Sequence, residues 1–211
     1  LHLLIAAAGH EVNSFTKIFF NEDEVPLTQD GSDSDGIARL FPSSGNEYEG
    51  KARIKKHLGA DAQVADADLV SEITQWTTNH RLRGIAYVYV RLNFDSDVYP
   101  NGVPNISFEV EGKKVFDPRT SATAFSSNPA LCIRDYLLDS NYGLDADAAE
   151  INDTNFQAVA NTCDEDVSLS SGTEDRFTLN GSFELKQSPK NIIENMLSSM
   201  AGNLIYSNGQ F

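Results

Sequence analysis

The sequence predicts an α+β fold: a mixed, mainly antiparallel β-domain with an inserted segment, followed by a smaller lobe of helices and strands. Three observations carry this. Residues 84–120 hold a long period-two run rich in aromatic and β-branched side chains, broken by turn residues. Four segments, near 66–76, 129–141, 153–164 and 189–201, combine helix caps with apolar stripes at helical spacing. A hydrophobic content of 40% with 22% charged residues is that of an ordinary globular protein, and 211 residues can fill one large core or two small ones.

In chain order, Leu3 to Ala8 and Lys17 to Phe20 read as strands separated by Gly9-His10-Glu11 and Asn13-Ser14. Asn21-Glu22-Asp23-Glu24 is a charged turn. Asp30 to Gly36 is a Gly/Ser/Asp loop that opens the inserted segment, residues 30–83. Inside it, Lys51, Arg53 and Lys55 alternate with Ala52, Ile54 and Lys56, a strand with one basic face. Asp66 is placed to cap a helix carrying Leu69, Val70, Ile73 and Trp76. Asn79-His80-Arg81 returns the chain to the central strand.

That strand alternates Ile85, Tyr87, Tyr89 and Arg91 with Ala86, Val88, Val90 and Leu92. Apolar side chains on both faces predict cover on both sides. Tyr99-Pro100-Asn101-Gly102-Val103-Pro104 is a turn, because proline fixes φ and Asn-Gly accepts positive φ. Ile106, Phe108 and Val110 then form a half-buried strand. Glu111-Gly112-Lys113 is read as a tight reversal into Val115-Phe116, stopped by Asp117-Pro118. The β-domain is therefore expected over 1–120, built from 1–29 and 84–120 with the insertion at about 30–83. The second lobe is expected over 121–211.

In that lobe Thr120 to Ser127 reads as a small-residue linker. Asn128 caps a helix with Pro129 at its first position, and Gly143 ends it. Asn152 caps the next, with Ile151 and Phe156 as a hydrophobic staple. Arg176 to Leu185 reads as a strand with Phe177, Leu179 and Phe183 on one side. Ser188-Pro189 opens the last helix, whose stripe is Ile192, Ile193, Met196, Leu197 and Met200. Ile193 and Leu197 are expected to be buried against the Phe177–Phe183 face. Leu204-Ile205-Tyr206 reads as a strand. There is no internal repeat. The chain lacks an initiator Met, ends at Phe211 inside an apparent hairpin, and reads as a piece of a longer protein.

Composition narrows function. The net charge is −15. Between Arg134 and Arg176 there is no Lys or Arg, while acids run from Asp135 to Asp175. Such a surface repels phosphate and argues against nucleic-acid binding. No apolar run approaches the roughly 20 residues of a membrane span. Cys132 and Cys163 lack paired spacing and read as buried free thiols.

The chemical motifs are incomplete. Asp33-Ser34-Asp35-Gly36 has the spacing of the middle of a calcium loop, but Gly31 and Pro42 stand where flanking acids are needed. His2, His10, His57 and His80 lack ligand-spaced partners. No Gly-x-Ser-x-Gly elbow and no phosphate loop is present. Asp95 and Asp97, two apart on a strand end, could serve as a carboxylate pair but read as a solvated turn. Catalytic residues, cofactor-binding residues and metal ligands are thus each assigned as none, and no cofactor is expected. The three glycosylation patterns at Asn105, Asn152 and Asn180 carry no weight without a secretory signal.

Several stretches, taken together and in order, resemble tail-tip (host-specificity) and hub proteins of long-tailed phages. They are Gly9-His10-Glu11-Val12 with Ile18-Phe19-Phe20-Asn21, Gly84-Ile85-Ala86-Tyr87, Pro100-Asn101-Gly102-Val103-Pro104-Asn105-Ile106, and Gly112-Lys113-Lys114-Val115-Phe116-Asp117-Pro118-Arg119. Asn128-Pro129-Ala130-Leu131 through Asn141-Tyr142-Gly143-Leu144 follows, then Asn180-Gly181 through Ser188-Pro189 to Tyr206-Ser207-Asn208-Gly209. The resemblance spans nearly the whole chain. It implies a structural protein of the virion tail: a ring, a homotrimer, at the distal end of the tail tube, in contact with other tail proteins. DNA would pass through it without being bound. In such a ring the basic strand Lys51–Lys56 and the acidic second half are expected to be complementary. The competing expectation is a β-rich carbohydrate- or ligand-binding module of a bacterial surface or secreted protein, which would need a row of exposed aromatics. Trp76, on a helical stripe, reads instead as core.

Overall fold

The computed structural model describes all residues, 1–211, as two compact units, Leu1–Lys113 and Lys114–Phe211. It is an α+β chain with antiparallel strand pairing throughout.

The first unit contains strands β1 (His2–Ala8), β2 (Ser14–Phe20), β3 (Asp23–Glu24), β4 (Leu27–Ser32), β5 (Ala38–Pro42), β6 (Ala52–His57), β7 (Ala86–Leu92) and β8 (Ile106–Glu111), with helix α1 (Ala67–Glu72) between β6 and β7. A five-stranded sheet runs β1-β7-β6-β5-β4 and a three-stranded sheet runs β3-β2-β8. Residues 30–83 are therefore not set apart from the main sheet. They supply β5 and β6, and β6 is its middle strand. Alternation explains why: Ala52 and Ile54 project into the same core as Val88 and Val90, so β6 completes that core instead of extending away from it.

The core joins Ile54, Ala86, Val88, Val90 and Leu92 of the large sheet to Phe15, Ile18 and Phe20 of the small one. Phe15 has the opposite parity to Ile18 and Phe20. All three reach the core because the register of β2 against β8 shifts between Phe15 and Lys17, and a bulge switches which side chains face inward. Gly59 adopts φ +88°, and a Cβ there would lie 2.7 Å from the Ala86 amide nitrogen, so only glycine fits this approach of backbone to backbone.

Helix α1 is shorter than its stripe predicts. It ends at Glu72, and Ile73 is extended. β-Branched Ile73 and Thr74 favour that exit. Trp76 lies in the following turn, stacked on His80 at 4.8 Å, and packs with Leu69, Tyr87 and Tyr89.

The second unit begins earlier than expected. Glu111-Gly112-Lys113 does not reverse β8 into a hairpin. Instead β9 (Lys114–Asp117) pairs with β10 (Ala122–Phe125), so the expected linker at 120–127 is partly a strand. Asp117 makes the turn between them, accepting the Arg119 amide at 2.8 Å. Helices α2 (Pro129–Leu138), α3 (Asp153–Cys163) and α4 (Pro189–Ser198) follow, with a short hairpin of β11 (Asp166–Ser168) and β12 (Thr173–Asp175). The caps are those the sequence indicates: Asn128, Asn152 and Ser188 each accept backbone amides of the first turn. Asn128 also donates to the Ala160 carbonyl at 2.9 Å, tying the start of α2 to the end of α3.

Two expected strands are absent. Residues 176–185 form no ladder; Phe177 and Leu179 bond singly to the Cys163 and Ser127 carbonyls. Residues 204–206 are likewise not a strand, and Ile205 and Tyr206 are exposed. With no flat strand to meet, α4 turns Ile192 and Met196 into the core. Ile193 and Leu197 flank them, partly buried. Phe183 is exposed on one side and meets the Tyr136 ring edge-on. No helix is long and apolar enough to cross a membrane.

Candidate functional site

The densest set of ionisable side chains lies on the outer face of the large sheet, under α1. Register builds it. Pairing of β6 with β7 sets Arg53 opposite Arg91, Lys55 opposite Tyr89 and His57 opposite Tyr87. Pairing of β1 with β7 adds His2 beside Arg91. Three acids arrive from elsewhere: Asp33 from the β4–β5 turn, Asp66 from the cap of α1 and Asp68 from its first turn.

Lys55 is completely buried and stands at the centre. Its Nζ lies 2.5 Å from Asp33 Oδ2, 2.6 Å from Asp66 Oδ2 and 3.3 Å from Asp68 Oδ2. Each acid also has a second duty. Asp33 Oδ1 accepts the amides of Asp35 and Ile37 at 2.9 and 2.8 Å, shaping its turn. Asp66 Oδ1 accepts the Leu69 amide at 2.9 Å, and its Oδ2 is 2.7 Å from His57 Nε2. Asp68 takes a two-pronged contact from the Arg39 guanidinium. The His57 ring stacks on Tyr87 at 4.3 Å.

A second layer reaches the surface. Arg53 donates to both Glu72 oxygens at 3.0 and 2.9 Å and to the Tyr89 hydroxyl at 3.1 Å. Arg91 also meets Glu72, at 3.2 Å. His2 Nδ1 and the Tyr89 hydroxyl are 2.7 Å apart. Arg39, Arg53, Lys55 and Arg91 thus face Asp33, Asp66, Asp68 and Glu72, and the charges balance.

Protonation follows from these contacts. The Arg39 guanidinium holds the Asp68 carboxyl at about 2. Burial alone would raise Asp66, but hydrogen bonds from His57, Lys55 and the Leu69 amide outweigh it and hold it below its usual range. Burial pushes Tyr89 up to about 12 and Tyr87 higher still. Tyr87 and Tyr89 therefore stay neutral, and Asp66 and Asp68 charged, at ordinary pH.

The side chains of Lys55, Asp33 and Asp66 are completely buried. What the cluster does is hold chain segments. It pins the β4–β5 turn and α1, distant in sequence, to one strand. Desolvation offsets much of the attraction within such a buried ionic group, while removal of one partner leaves a costly unpaired charge.

The basic face read from Lys51 to Lys56 is consequently not a free surface for a neighbour's acids. Arg53 and Lys55 are spent under α1. Lys51 pairs with Asp95 at 2.6 Å, and Lys56 donates to the Phe15 carbonyl at 2.7 Å. The Asp33 turn is an ion-paired hairpin end. Asp95 also accepts the Asp97 amide at 3.0 Å, closing a turn at the surface. His10 contacts the Glu11 carbonyl at 2.8 Å. Cys132 and Cys163 are free thiols, Cys163 buried as expected and Cys132 only half-buried. No group of three or more His, Cys, Asp or Glu side chains is arranged to hold a metal ion.

Sequence reasoning found the cap role of Asp66 and the alternation of Arg53 and Lys55, but not the cluster. The available signal was the pair of alternating strands, Arg53-Lys55-His57 and Tyr87-Tyr89-Arg91, whose polar faces both need cover. No protein-family model matches the chain, and no curated protein sequence matches it significantly.

Proposed function

We propose that this chain is a structural component of a bacteriophage or prophage tail tip or hub, assembling at the distal end of the tail tube and taking part in host attachment and DNA delivery. One observation carries the reading: the stretches that resemble tail-tip and hub proteins run in a single order from Gly9 to Gly209. The architecture supports a scaffold role. The most concentrated ionisable groups are turned inward and hold the fold.

In this reading the full-length protein is a homotrimeric ring joined by heterologous contacts that close on rotation. It contacts other tail proteins in the virion and has no catalytic activity. DNA passes through without being held. Each Lys or Arg on a channel wall would add a phosphate contact and release counterions, so an acidic wall suits transit. The segment from Asp135 to Asp175, or Glu22-Asp23-Glu24, is the one assigned to that wall.

Negative-stain microscopy of the full-length protein tests this, with a three-fold ring as the expected result. Cross-linking that yields only monomers would remove the hub reading. A gel-shift at about 20 mM salt, where electrostatic binding is least screened, is expected to show no duplex binding; micromolar affinity would refute the channel assignment. Glycosidase or peptidase turnover abolished by Asp95→Asn would overturn the absence of catalysis.

A further inference from the structure

We infer that Lys55 and Asp33 are the precursors of an intramolecular isopeptide bond: Lys55 Nζ attacks the Asp33 side-chain carbon, Cγ, and one water leaves. The inference does not rest on the tail-tip reading. The ion pairs described above are the state before this step.

The buried cluster holds each part that such a condensation needs. Lys55 supplies the nucleophile. Its Nζ lies 2.5 Å from Asp33 Oδ2, one bond from the carbon to be attacked, and both side chains are completely buried. Asp33 supplies the electrophile. Its Oδ1 accepts the Asp35 and Ile37 amides at 2.9 and 2.8 Å. Those two N–H groups face the oxygen on which charge collects as Cγ becomes tetrahedral, so they serve as an oxyanion hole. The Asp33 amide donates to the Ile37 carbonyl at 2.9 Å, which fixes the turn that carries them. Reactants held in place in this way have already lost the freedom a bimolecular condensation would cost.

Asp66 supplies the proton relay. Its Oδ2 lies 2.6 Å from Lys55 Nζ, and the Leu69 amide and His57 orient the carboxylate. Asp66 is not the electrophile, because the oxygen it turns to Lys55 is also held by His57 and its other oxygen meets a single amide.

The steps balance. A proton passes from the Lys55 ammonium to Asp33 Oδ2, which leaves an amine and a carboxylic acid. In a buried site desolvation weighs against an ion pair and for its neutral forms. The nitrogen lone pair then adds to Cγ. Asp66 takes one proton from the nitrogen and returns it to the Oδ2 hydroxyl. The C–O bond breaks and water departs. The product is an amide that joins β6 to the β4–β5 turn, with Asp66 restored and nothing oxidised or reduced. One positive and one negative charge disappear together, so Arg39, Arg53 and Arg91 still balance Asp66, Asp68 and Glu72. The Tyr87 hydroxyl, close enough to feel the charge of Asp66 and Asp33, is buried without a hydrogen-bond partner and offers one to the departing water.

The test is the intact mass of protein incubated in its folded state and then denatured. Wild type should be lighter than its sequence by the mass of one water, and proteolytic mapping should join residue 33 to residue 55. Lys55→Met and Asp33→Ala should keep their full sequence mass. Asp66→Asn preserves the helix cap. With Trp76 emission still native, its converted fraction after equal incubation should be at least tenfold lower. Wild type that stays at its full sequence mass would overturn the inference. So would a link mapped to Asp66, or a water loss that persists in Lys55→Met, which would mark succinimide formation at an Asp-Gly pair such as Asp30-Gly31. Conversion of Asp66→Asn at the wild-type rate would overturn the relay.

Discussion

Replacing Lys55 by methionine tests the reading of the ion cluster directly. Methionine keeps most of the side-chain volume, so little cavity is left. What is lost is the one cation that touches Asp33, Asp66 and Asp68 at 2.5, 2.6 and 3.3 Å. Asp66 retains His57 and Asp68 retains Arg39, but Asp33 keeps only its two backbone amides. Leaving buried charge without its partner costs about 3–5 kcal/mol. That is a large part of the total stability of a domain. Asp33→Asn removes the paired charge while its amide oxygen can still accept the Asp35 and Ile37 amides. The double variant should therefore be more stable than the sum of the single losses predicts, by about 1–3 kcal/mol. Chemical denaturation followed by fluorescence of Trp76, the sole tryptophan, reads this region, because Trp76 packs with Leu69, Tyr87 and Tyr89.

The pH dependence has a defined sign. Asp66 and Asp68 are held below their ordinary values in the folded state. Their contribution is therefore present above the unfolded value, near 4, and is lost as pH falls toward 2. For Asp68, held at about 2 against an ordinary 3.8, it amounts to about 2 kcal/mol. The gap between wild type and Lys55→Met should narrow over that window, since protonated aspartates need no cation. A loss below about 1 kcal/mol at pH 7 for Lys55→Met, or strict additivity with Asp33→Asn, would refute the reasoning.

Three further outcomes are expected. Gly59→Ala should cost about 2 kcal/mol or more, because φ is +88° and the new Cβ meets the Ala86 and His10 backbones; a neutral melting temperature would contradict the geometry. Met196→Ala should cost about 2–5 kcal/mol and Leu197→Ala clearly less, since Met196 and not Leu197 lies in the core; the reverse order in denaturant would restore the sequence-based assignment. Burial pushes the Cys132 thiol up to about 11 and also raises Cys163, so both should react slowly with a disulfide reagent at about pH 8 and fully in denaturant. Fast stoichiometric labelling of the native protein would show that half-buried Cys132 and buried Cys163 are both open to the reagent.

The sequence by itself determined the local features. Alternation over residues 85–92 marked the two-sided strand, because period two is a property of the extended backbone. Asn128, Asn152, Ser188 and Asp66 marked helix starts, because a cap needs only a side chain and amides two or three residues on. Periodicity also named the apolar set of α4, though not which members are buried. That depends on what packs against the helix, and the expected strand at 176–185 is not there.

Tertiary structure decided the rest. Alternation in residues 51–56 cannot say whether a basic face meets solvent or the interior. Only pairing with β7, and the approach of Asp33, Asp66 and Asp68, turned it inward. Asp33 lies 22 residues from Lys55 and resembles any loop acid until the β4–β5 hairpin folds. The bulge in β2 and the pairing of β9 with β10 have the same origin. A ladder's partner is set by which alternatives bury more apolar surface and leave fewer backbone groups unpaired, and that comparison is made over the whole chain, not within a window of it.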